Sequence, residues 1–209
     1  GFSYRPEDHA RNLRELIERL GLKDVTLVVH DFGGPIGLSY AVERPENVAR
    51  LVIFNTWMWS LRGNREAEQI SRLMSGRLGR FLYERLNFSP RVLVPAASGR
   101  KLPRAIHRHY MEARHAMWVC ARELVGSSDW YEGLWQRRER LRDIPALLLW
   151  GLKDPGVKSG VFDLARWQGV FADARTVTFP EAGHFVQEDE APAVAGEVRR
   201  FLGAVPAHV

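Results

Sequence analysis

The chain has 209 residues, 45% of them hydrophobic, which is enough to bury a sizeable core in one or two domains. Its net charge is +5, but no nucleic-acid motif accompanies the arginines between Arg91 and Arg114 or in Arg137–Arg142. These clusters read as solvated helix faces, and neither nucleic acid nor a membrane is an expected partner. No apolar run approaches the ~20 residues of a membrane span. A single cysteine, Cys120, excludes an internal disulfide and fits a reducing, cytoplasmic setting. Its side chain reads as a small buried apolar group rather than a nucleophile.

Residues 7–20 predict a helix, because Leu13, Leu16, Ile17 and Leu20 recur at i, i+3, i+4 and i+7 and Gly21 can close it. Val25–Val29 predicts a strand. It stops at His30-Asp31-Phe32-Gly33-Gly34, and residues 33–44 then predict a buried helix. Glycines are expected just past Asp31 because the chain there turns too tightly for a Cβ. Leu51–Phe54 predicts the next strand, ending at Asn55-Thr56, and strand, helix and strand at this spacing make a parallel βαβ unit.

From Trp57 to Arg142 the pattern is helical, basic and aromatic, without strands. Pro90, the stretch 95–99 and Pro103 divide it into several helices. It reads as a helical cap inserted between two strands. The sheet resumes at Ala146–Trp150, followed by a helix near 161–170, a strand at Thr176–Phe179 and a last helix over 190–202. The domain reading is core at 1–56, cap at 57–142 and core at 143–209. No repeat or low-complexity segment is present.

Three polar residues stand just past strand ends, where open α/β sheets place their sites. They are Asp31, Asp154 in Gly151-Leu152-Lys153-Asp154-Pro155, and His184 in Ala182-Gly183-His184-Phe185. Singly, each has an ordinary explanation. Asp31 reads equally as a turn residue or helix N-cap, Asp154 as a turn residue before proline, and His184 as a surface histidine. Together they stand in the chain order of a nucleophile, an acid and a histidine on a strand–turn–helix elbow. A carboxylate at the apex attacks a saturated carbon bearing a leaving group and leaves an ester on the enzyme.

These three segments resemble the α/β-hydrolase superfamily and, within it, the haloalkane dehalogenases; epoxide hydrolases are close relatives. The resemblance spans nearly the whole chain and is weakest between residues 60 and 140. It implies an α/β-hydrolase fold, a mostly parallel sheet flanked by helices, with a helical cap over the site. It also implies an Asp31 nucleophile, His184 as general base and Asp154 as the acid that orients it. The backbone N–H of Phe32 would be one oxyanion donor. Such enzymes usually carry Trp after the nucleophile to bind the departing halide, whereas Phe32 has no side-chain N–H. Trp57 and Trp59, leaving the second strand, are candidate replacements, with core packing as the alternative. Tyr83, Tyr110 and Tyr131 lie in the cap, where epoxide hydrolases keep tyrosines that protonate the opening oxygen. Asn55 occupies the strand end where other dehalogenases hold their acid.

The expected activity is hydrolysis of haloalkanes to alcohol and halide. The alternatives are an epoxide hydrolase forming diols and a non-catalytic binding protein of this fold. The expected partners are a small apolar organic substrate and water. No cofactor and no metal are expected, since neither a phosphate loop nor a ligand cluster is present. The chain starts at Gly1, and the elbow comes early, so it reads as an N-terminally truncated piece of a longer protein.

Overall fold

A computed structural model describes residues 2–98, 108–109 and 111–203. Its centre is a parallel four-stranded sheet in the order β1 (Val25–Val29), β2 (Val48–Phe54), β3 (Ala146–Gly151) and β4 (Arg175–Phe179). The two inner strands are covered on both faces, which is why they read as unbroken apolar runs. Leu51, Ile53, Leu148 and Trp150 join one core cluster with Leu38 and Ala41 of helix α2 (Gly33–Glu43). Val52, Phe54, Leu147 and Leu149 join another with Val194 of the helix Ala191–Leu202. β2 begins at Val48 rather than Leu51, because Val25 and Thr26 extend the ladder to Val48 and Arg50.

Helix α1 (Pro6–Arg19) opens with Pro6 in its first turn, followed by Glu7 and Asp8, as its dipole favours. Its inward side differs from the predicted stripe. Ala10 and Ile17 are buried, while Leu16 and Leu20 are 53% and 63% exposed. α1 packs on α2 with the small Ala10 turned inward, and this roll carries half of the leucine stripe to the surface.

The elbow corrects the expected role of the glycines. The residue with positive φ is Asp31 itself, at +51°, a strained conformation for a side chain with a Cβ. The N–H groups of Gly33 and Gly34 return to the carbonyls of His30 and Asp31 at 2.8 and 2.9 Å. Gly34 is required by close approach instead: a Cβ there would stand 1.8 Å from Thr56 Oγ1. At Gly37 it would stand 2.6 Å from Val29 Cγ1. Without these two glycines α2 could not lie so near β1 and the end of β2.

Between β2 and β3 no described residue joins the sheet. The chain forms α3 (Arg65–Ser75), α4 (Arg77–Glu84), a π-turn at Ser89–Leu93, α5 (Val94–Ala97) and further helices at Arg114–Gly126 and Ser128–Trp135. Pro90 lies in the π-turn and Pro95 opens α5; Gly99 and Pro103 lie outside the described residues. α3 and α4 pack on the Arg114–Gly126 helix around a small core of Met74, Tyr83, Trp118 and Val119. The two ends of the interval, Trp57–Leu61 and Tyr131–Leu141, contribute instead to the main core.

Candidate active site

Asp31, Asp154 and His184 converge above the sheet. His184 Nδ1 donates to Asp154 Oδ2 at 2.8 Å, and His184 Nε2 lies 3.8 Å from Asp31 Oδ2. Asp154 is 2% exposed, and its two oxygens divide their tasks. Oδ1 accepts from the Gly156 N–H at 2.8 Å and caps the short helix Pro155–Lys158, the turn role expected of an Asp-Pro pair. Oδ2 faces His184.

Asn55 ties the parts together. Its Nδ2 donates to Asp154 Oδ2 at 2.9 Å and to the Gly151 carbonyl at 2.9 Å. Its Oδ1 accepts from the Gly151 N–H at 2.8 Å, and its carbonyl accepts from the Asp31 N–H at 2.9 Å. The wholly buried Asn55 therefore joins the ends of β1, β2 and β3, with both amide hydrogens and the amide oxygen engaged. Thr56 adds a hydroxyl donated to the Asp31 carbonyl, and Trp167 Nε1 donates to the Thr56 carbonyl at 3.0 Å.

The histidine loop is held as firmly. The Gly183 N–H donates to the buried Asp189 carboxylate at 2.8 Å, and the His184 N–H donates to the Ala97 carbonyl of α5, also at 2.8 Å. The Phe162 ring stacks on His184 with centroids 5.5 Å apart. A Cβ at Gly151 would stand 2.3 Å from the Gly183 carbonyl oxygen, so the loops carrying Asp154 and His184 touch backbone to backbone.

Charge follows this geometry. Burial would raise the Asp31 carboxyl, but His184, His30 and the Phe32 N–H together hold it below the ordinary carboxylate value. Burial would lower His184, but hydrogen bonds and charge from Asp154 and Asp31 outweigh it and raise the imidazole to about 10. In the resting site His184 is thus a cation between two carboxylates. Burial, then the His184 charge, push His30 down to about 4, so it stays neutral.

Over Asp31 lies a cavity of about 440 Å³ between sheet and helical insertion. Its wall is largely apolar, with Ala67, Ile70, Met117, Ala121, Leu124 and Phe162 among the contributors. The insertion adds Tyr83, Ser89, Cys120 and, at its rim, Glu66. Burial, then the charges of Asp31 and Glu123, push the Cys120 thiol up to about 12, which keeps it protonated and a poor nucleophile. Burial also raises Tyr83 to about 12, with the neighbouring Ser89 acting in the opposite direction.

The other candidate residues fall at different distances from this cavity. Phe32 lines the cavity beside Asp31, and its N–H helps to lower the Asp31 carboxyl. Trp57 packs edge-on against Phe32 with centroids 4.8 Å apart, and its buried Nε1 has no hydrogen-bond partner. It sits behind Phe32, not in the cavity wall. Trp59 packs among Trp135 and Trp167 under Arg166 and belongs to the core. The Tyr131 hydroxyl donates to the Glu123 carbonyl at 3.0 Å, away from the wall, and Tyr110 lies outside the described residues. The positions of Thr56, Asp189 and Phe162 at the site had no signal in the sequence beyond lying near strand ends. No cluster of three or more His, Cys, Asp or Glu able to hold a metal occurs among the described residues. No helix among them is long and apolar enough to cross a membrane.

Residues 2–191 match the family model of the alpha/beta hydrolase fold. Haloalkane dehalogenase 2 of Mycobacterium tuberculosis is 30% identical over 97% of this chain and 73% of its own length. The cis-3-alkyl-4-alkyloxetan-2-one decarboxylase of Xanthomonas campestris is 27% identical over 98% of this chain and 72% of its own. An epoxide hydrolase is also a relative. The crystal structure of haloalkane dehalogenase DbeA from Bradyrhizobium elkani superposes with a TM-score of 0.78 at 21% identity, covering 98% of this chain and 77% of that one. The chain therefore belongs to the α/β-hydrolase family of enzymes, as a haloalkane dehalogenase-like member.

Proposed function

We propose that this protein hydrolyses haloalkanes to alcohol and halide through an ester on Asp31. The observation that carries this reading is the Asp31–His184–Asp154 line facing an apolar cavity. In the first step an Asp31 oxygen attacks the carbon and the carbon–halogen bond breaks, with its electrons leaving on the halide. The ester is uncharged, so one of the two carboxylates that held the His184 proton is gone. That proton can then pass to solvent, and neutral His184 removes a proton from a water that attacks the ester carbonyl. Asp154 stabilises the imidazolium formed, and the Phe32 N–H serves the oxyanion. Alcohol leaves and Asp31 returns as carboxylate.

The helices of 57–142 act as the cap that keeps this cavity apolar, which strengthens the electrostatics within it. We assign the missing halide donor to Trp57 rather than Trp59, because the Trp57 Nε1 is unpartnered beside Phe32. Using it requires the Phe32 ring to swing aside. A lone cysteine and the absence of any expected disulfide suit a cytoplasmic setting.

A second reading rests on Tyr83, which lines the cavity together with Ser89. It would serve a strained oxygen ring, such as an epoxide, whose leaving oxygen needs a proton. The decisive experiment exposes the His184→Phe protein separately to a bromoalkane and an epoxide and records its intact mass. An alkyl adduct from the bromoalkane, absent when Asp31→Ala is added, is the expected result. A hydroxyalkyl adduct from the epoxide alone would transfer the assignment to the second reading. No adduct from either would remove Asp31 as nucleophile toward both.

A further inference from the structure

His30 stands immediately before Asp31, yet its side chain does not address the nucleophile. Its Nε2 lies 2.8 Å from the carbonyl oxygen of His184. A carbonyl only accepts, so Nε2 carries the proton and donates. The two imidazole rings lie 4.4 Å apart between centroids, tilted by 42°. Phe54 and Phe185 wall the His30 ring on other sides, at 6.3 and 6.1 Å. The other polar group of the His184 peptide, its N–H, is bound by Ala97 of the helical insertion. The peptide of the histidine is thus held at both ends, once by the insertion and once by the elbow.

From this geometry we infer that His30 is a positioning residue for His184, fixing the backbone from which the base swings between Asp154 and Asp31. The reasoning is steric and electrostatic. His184 Nδ1 is hydrogen-bonded to one carboxylate at 2.8 Å and Nε2 faces another at 3.8 Å on the opposite side of the ring, so a small displacement of its Cα upsets the bond or the facing contact. A half-buried loop carbonyl left without this donor would also lose its hydrogen bond and draw the loop toward water. The partner must remain uncharged, since a second cation 4.4 Å from the His184 ring would oppose the imidazolium formed during hydrolysis. A lysine or arginine there could supply the bond but not the neutrality. A half-buried histidine between Phe54 and Phe185 supplies both.

This inference rests on the ester reading for its kinetic consequence, but not for its structural one. The test compares His30→Leu, which removes the donor, with His30→Gln, which keeps a neutral N–H. The first readout needs no substrate: the downfield proton resonance of the His184 Nδ1–H···Asp154 bond. It should shift or exchange away in His30→Leu and persist in His30→Gln. The second follows single turnover with a bromoalkane. Formation of the ester should change by less than about threefold in either variant, while its hydrolysis should slow about ten- to a hundredfold in His30→Leu and recover in His30→Gln. An unchanged resonance in His30→Leu overturns the inference. So does equal slowing of both steps in both variants, which would mean a merely structural role. If the unmodified protein forms no ester at all, the ester reading fails, and the resonance still decides the positioning role.

Discussion

The floor of the cavity and its roof are built on different principles. In the floor, nearly every polar group of the site has a named partner: Asn55 engages both amide hydrogens and its oxygen, Asp154 both oxygens, and the His184 main chain both its N–H and its carbonyl. In the roof, burial keeps Tyr83 and the Cys120 thiol protonated, and apart from Ser89 and Glu66 the remaining wall is apolar. The floor therefore defines a reaction, whereas the roof defines a volume. Substitutions should sort the same way. Changes below Asp31 abolish chemistry or folding, and changes above it alter which molecule is accepted.

The largest effect separates chemistry from fold at one position. Asp31→Ala should lower turnover by at least about 10⁴-fold, measured by halide release. Asp31→Gly should be equally inactive, yet more stable than Asp31→Ala by about 1 kcal/mol in urea unfolding, because glycine accepts the +51° φ. Equal stability of the two variants would mean that the elbow stores no strain.

Next in size is Asn55→Ala. It strands the Gly151 N–H and carbonyl and takes one donor from Asp154. We expect about 3 kcal/mol less stability, together with slower ester hydrolysis because Asp154 no longer holds one orientation. A loss of activity without a loss of stability would show the floor to be less rigid than its bonds imply.

Smaller is the pH dependence that the two histidines impose on folding. The raised His184 contributes stability that is complete below its unfolded value of 6.5 and is lost as pH rises toward about 10. His30 works on the other side. The unfolded chain binds a proton below 6.5 that the folded site refuses until about 4, so stability also falls as pH drops through that range. A profile of Tm against pH should peak near 6.5 from this pair. Asp31→Asn should flatten its alkaline limb and His30→Gln its acid limb.

The smallest effect is expected in the roof. Tyr83→Phe, at a position that lines the cavity, should cost no more than about 1 kcal/mol and should change bromoalkane turnover less than about threefold. A ten- to hundredfold loss confined to epoxides, roughly the worth of one proton donor, would show the roof taking part in chemistry and erase the contrast.

The same contrast governs what could be read before any fold was known. Asp31, Asp154 and His184 were visible because each ends an apolar run, and a parallel sheet gathers such ends on one edge. The four strands and α2 were visible for the same reason. Asn55 was visible as an amide where an acid could stand, but its partners were not: they depend on the register that sets Phe54 opposite Leu149. The reason for Gly34 was hidden likewise, since its neighbour Thr56 arrives from another strand. In the roof, a helical pattern says that helices form and not which side turns toward Asp31. Tyr83 and Tyr131 look alike in sequence, yet one faces the cavity and the other the core.

The hydrogen bond from the His184 N–H to the Ala97 carbonyl carries a consequence for how such a chain can change over time. A main-chain carbonyl is present whatever side chain occupies position 97, so this bond leaves no preference in the alphabet of that site. What it constrains is the path and length of the chain between α4 and the residue that meets the histidine. Letters there are free to drift; gaining or losing one residue is not, since that would slide the carbonyl away and loosen His184 from a distance. A roof free to vary in composition is in this one place fixed in length by the floor beneath it.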